Sequence, residues 1–114
     1  MKWIKLITGE EISSKPMHLG KTYAEAKALL KENEYIADYL LLQDLRNCGK
    51  YPDSFTKFWV FVPNPDKISE KSGFVARFSA DSSRVCLVCY WDPLDAGPEL
   101  GVFVVRKKVK GAKK

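Results

Sequence analysis

Between Gly73 and Arg106 the chain reads GFVARFSADSSRVCLVCYWDPLDAGPELGVFVVR, and no other stretch restricts the possible fold as much. Its apolar runs are short and rich in β-branched and aromatic residues, and Asp, Ser, Gly and Pro part them. That is the pattern of strands joined by tight turns. It predicts strands at Phe74 to Phe78, Val85 to Tyr90 and Gly101 to Arg106. Between the last two lies Asp92-Pro93-Leu94-Asp95-Ala96-Gly97-Pro98, a loop with a proline near each end. The segment carries no catalytic motif. Its mixed side chains around turns suit gripping a partner better than running a reaction.

Upstream, Phe58-Trp59-Val60-Phe61-Val62 is too continuously apolar for a half-exposed edge and reads as a central, buried strand. Pro63-Asn64-Pro65-Asp66 stops it, and Lys67 to Ser72 is a polar excursion. At the start, Lys2 to Ile7 alternates as a short strand, and Thr8-Gly9-Glu10-Glu11 turns the chain. Ile12 to Lys21 is irregular, broken by Pro16 and Gly20. Thr22-Tyr23-Ala24-Glu25 has capping-box spacing and predicts a helix to about Glu32 with Tyr23, Ala24, Ala28 and Leu29 on its apolar side. A second helix is expected from Ile36 or Asp38 to Arg46, with Leu40, Leu41 and Leu45 inward and Asn47-Cys48-Gly49 ending it. Lys50 to Ser54 is a loop.

The order strand, helix, helix, then several strands defines an α+β fold, two helices packed on a small antiparallel sheet with the N- and C-terminal strands paired. A chain of 114 residues suits one domain, placed at 1–106, with a basic, disordered tail at 107–114. No run of apolar residues is long enough to span a bilayer, and the first residues lack the pattern of an export signal. The compartment is left unassigned, with the cytoplasm as the default.

The net charge of +5 is confined to that tail, where Lys107, Lys108, Lys110, Lys113 and Lys114 account for all of it. The remaining 14 basic and 14 acidic side chains balance, so the body has no basic stripe to track phosphates. The tail reads as a solvated end rather than a nucleic-acid arm.

Three cysteines, an odd number, argue against a disulfide framework and fit a reducing compartment. Cys86 and Cys89 have CxxC spacing, but positions three apart on a regular strand face opposite sides. With His18 the sole histidine, no zinc site is expected, and no other cofactor is implied.

Taken together, the Thr22-Tyr23-Ala24-Glu25-Ala26-Lys27 helix start, the leucine-rich second helix and the closing Leu100-Gly101-Val102-Phe103-Val104 strand resemble a minimal C-type lectin fold. The resemblance is to the branch shared by formylglycine-generating enzymes and the variable proteins of diversity-generating retroelements. In those systems a reverse transcriptase mutates template adenines, so a C-terminal segment becomes hypervariable. The matching stretch here runs from Val75-Ala76-Arg77-Phe78 to Pro98-Glu99-Leu100-Gly101-Val102-Phe103. Randomising both adenines of an asparagine codon ending in a pyrimidine yields every residue except Lys, Glu, Gln, Met and Trp. Those types make up 28 of the 114 residues, yet Trp91 alone represents them between Gly73 and Pro98. About six would be expected at the chain-wide frequency. Part of the deficit is ordinary strand composition.

The resemblance implies a ligand-binding protein and not an enzyme. Phe78, Ala80, Leu87, Cys89, Pro93, Leu100, Gly101 and Val102 read as framework, Gly101 through a close backbone approach. Asp81, Ser83, Arg84, Val88, Tyr90, Trp91, Asp92, Leu94, Asp95 and Ala96 are the candidate recognition surface. Tyr90 and Trp91 would act as aromatic anchors, with Arg84 and Asp95 setting orientation. The expected partner is an unidentified macromolecule, a protein, met by a monomer. Three alternatives compete: an oxidase using Cys86 and Cys89, calcium-dependent sugar binding, and nucleic-acid binding through the tail. Pro63-Asn64-Pro65 and Trp91-Asp92-Pro93 only echo the calcium motifs of the lectins.

Overall fold

The computed structural model describes residues 3–47, 59–80, 85–98 and 100–107. The Asn47-Cys48-Gly49 stop, the 50–54 loop, Phe58, Asp81, Ser83, Arg84 and the tail beyond Lys107 lie wholly or partly outside them. The described elements are β1 (Trp3–Lys5), β2 (Glu11–Ser13), α1 (Tyr23–Ala28), β3 (Glu34–Ile36), α2 (Tyr39–Asn47), β4 (Val60–Val62), α3 (Lys67–Lys71), β5 (Val75–Ala80), β6 (Val85–Trp91) and β7 (Val104–Arg106). They form an α+β domain with two antiparallel sheets, ordered β1-β2-β7-β3 and β4-β5-β6. Among the described residues, no helix is long and apolar enough to cross a membrane.

The first sheet departs from the expected pairing. A tight turn returns the chain from Leu6, whose N–H donates to the Glu10 carbonyl at 2.8 Å, and Gly9 takes the positive φ of 93° the turn needs. Glu11–Ser13 therefore forms a strand where an irregular segment was expected, and β2 rather than β1 pairs with β7. The N- and C-terminal strands share a sheet without being neighbours. β3 was also unforeseen: Glu34–Ile36 pairs with β7 on its other edge, so the second helix begins only at Tyr39.

The capping box forms as predicted. Glu25 N–H donates to Thr22 Oγ1 at 3.1 Å, and Thr22 N–H donates to Glu25 Oε1 at 3.0 Å. The helix it opens ends at Ala28 and turns Ala26 inward, leaving Ala24, Ala28 and Leu29 exposed. In α2 the buried residues are Leu42 and Leu45, with Leu41 half-buried and Leu40 exposed. Both errors have one cause: each segment holds more apolar residues than a single face needs, so docking selects the stripe. α3 lies in the supposed polar excursion, where the Asp66 carboxylate accepts from Ile68 and Ser69 N–H groups as an N-cap.

β4 is fully buried, yet it is an edge strand; β5 is the central one. Its burial arises because it lies between two cores. Val60 and Val62 join Ile12, Leu42, Phe78 and Phe103, whereas Phe61 joins Ala26, Val102 and Val104. Its free edge is covered by the 100–103 segment, since Phe61 N–H donates to the Gly101 carbonyl at 2.9 Å. That segment continues into the first sheet and exchanges both backbone bonds between Met17 and Val102. A Cβ on Gly101 would lie 2.6 Å from the Met17 carbonyl oxygen and 2.7 Å from Leu19 Cδ2. Only glycine fits this close approach.

Candidate functional site

β5 and β6 supply the platform. Phe78 faces Leu87 and Arg77 faces Val88, but the next recorded pair is Val75 with Trp91. One residue of β5, Ala76, thus opposes two of β6, Cys89 and Tyr90, a β-bulge within Val88–Trp91. Residues directly opposite share a face, so the bulge puts both Val88 and Trp91 on the side of Arg77. Strict alternation would have separated them.

The bulge is held from below by Asn64, which is buried. Its Nδ2 donates to the carbonyls of Cys89 at 2.8 Å and Phe74 at 3.1 Å and to Ser69 Oγ at 3.1 Å; its Oδ1 accepts from Asp66 N–H at 2.9 Å. Ser69 Oγ also donates to the Cys89 carbonyl at 2.8 Å. Asn64 therefore ties β5, β6 and α3 together, and its amide is spent on internal bonds.

On the upper face, the Arg77 guanidinium stacks between two indoles, 3.4 Å from the Trp91 ring centroid and 4.7 Å from that of Trp59. Arg77 Nη1 is 4.0 Å from Asp95 Oδ2, the same oxygen that accepts from Trp91 Nε1. Arg77 Nε is buried without a hydrogen-bond partner among the described residues. Burial lowers the Arg77 pKa, with the nearby Asp95 charge opposing the shift. Asp95 Oδ1 accepts from Gly97 N–H at 3.2 Å and Asp92 Oδ1 from Leu94 N–H at 2.9 Å, so two carboxylates shape the loop backbone.

The candidate surface is thereby divided. Tyr90 is 70% exposed and Leu94 80%, and Asp92 and Ala96 are exposed beside them. Val88 is half-buried. Trp91 and Asp95 are parts of the Arg77 assembly, so Trp91 is a support and not a free anchor. Pro93 is exposed and belongs to the turn. Asp81, Ser83 and Arg84 lie outside the described residues.

Arg77 and Trp59 were missed as site residues. The signal was an arginine inside the apolar run Val75-Ala76-Arg77-Phe78, a placement that requires dedicated partners. Trp59, just before β4 and with its ring 4.7 Å from the Arg77 guanidinium, reads in sequence as ordinary core. Cys86 and Cys89 are free thiols. Burial raises the Cys89 pKa, and Asp66 adds to the rise, so its reactive thiolate is disfavoured. Among the described residues, no group of three His, Cys, Asp or Glu side chains is placed to hold a metal ion. Compared with protein-family models, curated proteins and solved structures, the chain matches none.

Proposed function

We propose that this protein is a C-type lectin-like, ligand-binding domain that uses the end of β6 and the 92–98 loop to grip a protein partner as a monomer, and that a retroelement diversifies this surface. The observation that carries the reading is the exposure of Tyr90 and Leu94 above a framework fixed from beneath. Asn64 pins the Cys89 carbonyl, and Trp91 stacks on Arg77. Asp92 and Asp95 hold the turn. The Tyr90, Leu94 and Ala96 side chains contribute nothing to these bonds, so they are free to change. The separation of a four-stranded sheet, carrying both ends of the chain, from a three-stranded sheet carrying the loop supports the C-type lectin-like reading.

Tyr90 offers a large, rigid contact at low entropy cost, as tyrosines do in antibody loops. A stable complex removes about 800 Å² from each partner, so neighbouring positions must contribute as well. The test is a library randomised at Tyr90, Leu94 and Ala96, sorted for folded protein. Most members should melt within a few degrees of the parent; general unfolding would end the proposal. Diversification predicts a near-identical DNA repeat differing at adenines beside a reverse transcriptase gene, and a locus without one removes that part.

A further inference from the structure

A second site lies elsewhere, in a cleft of about 360 Å³ between the β1–β2 hairpin and α2. It shares no residue with the loop surface. We infer that this cleft binds a small cation carried on an apolar body, of the alkylammonium class. The inference is independent of the function proposed above.

The floor of the cleft is apolar. Ile4 from β1, Leu6 just beyond it, Leu41 and Leu45 from α2, and Tyr35 from β3 line it, and all belong to or pack against the larger core. Leu41 and Leu45 are one helical turn apart, so they present a continuous wall. Ile7 stands at the mouth, 94% exposed. A cleft of this volume is large enough for a small organic molecule.

Its charged groups are mostly acidic: Glu10, Asp38 and Asp44 against Lys5. Glu10 Oε1 accepts from the Tyr35 hydroxyl at 3.1 Å and from Thr8 Oγ1 at 3.3 Å. Asp38 Oδ1 accepts from Leu41 N–H at 2.9 Å and caps α2. Asp44 makes no hydrogen bond or ion pair among the described residues. Glu10 and Asp38 are thus held in place by neutral donors that leave their charge unmatched. Neighbouring chemistry reports the same field. Burial, the Glu10 hydrogen bond and the charges of Glu10 and Asp38 push the Tyr35 pKa up to about 12, so further negative charge is unwelcome there. The chain's own Lys107 already places Nζ 5.6 Å from the Tyr35 ring centroid. An apolar floor under a net negative rim selects a ligand with a hydrocarbon body and a positive head. A carboxylate of the same length meets repulsion, and an alcohol forfeits the charge.

The experiment is a methyl and aromatic NMR titration of the full chain with n-hexylammonium chloride, sodium hexanoate and 1-hexanol. Hexylammonium should shift the Ile4, Leu6, Leu41 and Leu45 methyls and the Tyr35 ring saturably. Hexanol should bind roughly tenfold more weakly, the loss of about one charge-assisted contact. Hexanoate should leave these signals in place. Asp44→Asn should weaken hexylammonium binding several-fold, and it alters a side chain without structural bonds, so the fold survives. The inference is overturned if hexanoate binds as well as hexylammonium, or if hexylammonium moves none of the cleft signals. It also fails if deleting residues 108–114 shifts those signals as removal of a bound amine would, because the tail is then the occupant.

Discussion

Two arginines, one in each sheet, meet tryptophan in different ways. Arg106 on β7 lies 4.0 Å from the Trp3 ring centroid and donates from Nε to Glu11 Oε1 at 2.7 Å, with both charged side chains more than a third exposed. Arg77 on β5 has two indoles, its side chain is 16% exposed, and its carboxylate partner stands off at 4.0 Å. The first is an ordinary surface ion pair with a ring beneath it. The second is a charge held by aromatic faces, where desolvation makes each face count for more. Of the two, the Arg77 assembly reaches the 92–98 loop, through Trp91 and Asp95.

The largest effect should follow Trp91→Ala, which removes a stacked face and uncovers the guanidinium. It should cost about 3 kcal/mol in chemical denaturation, against about half as much for Trp3→Ala. Equal losses would erase the distinction between the two arginines. Asn64→Ala comes next, at about 2 kcal/mol, because the Cys89 and Phe74 carbonyls lose a buried donor. Native-state hydrogen exchange should place the loosening at the bulge. A loss spread evenly over both sheets would deny Asn64 its local role.

Salt and pH sharpen the contrast. The Glu11→Gln penalty, below about 1 kcal/mol, should shrink further in 1 M NaCl, because exposed pairs are screened. The Asp95→Asn penalty should persist, since that carboxylate also accepts from an indole and a backbone N–H. On the first sheet, Tyr35 has a folded-state pKa of about 12, above its ordinary 10.0. Its contribution is complete below pH 10 and lost as pH rises towards 12, because the folded chain holds that proton more tightly. Tyr35→Phe should flatten the alkaline limb of the stability profile relative to the parent. Smallest of all, Tyr90→Ala and Leu94→Ala should stay within about 0.5 kcal/mol of the parent.

Much of the local structure was legible in the chain. Thr22 and Glu25 announced a helix start because both partners of a capping box lie within one turn. Gly101 announced a crowded strand entrance, and the β4 run announced burial. The exposure of Tyr90 and Leu94 was also legible, since they flank or sit in a proline-bounded turn. The contacts of Trp91 and Asp95 with Arg77 were not legible, and Arg77 and Trp59 were overlooked. Pairing across strands decides those roles, and one extra residue in β6 reverses which side chains share a face.

Capping and turn formation depend on neighbours within a few positions, so the amino-acid order alone determined them. The placement of β2 between the terminal strands, the choice of Ala26 and Leu42 as buried residues, and the union of Trp59, Arg77, Trp91 and Asp95 depended on distant segments meeting. Those came from tertiary structure, because many local arrangements are close in energy until packing and the satisfaction of buried polar groups select one.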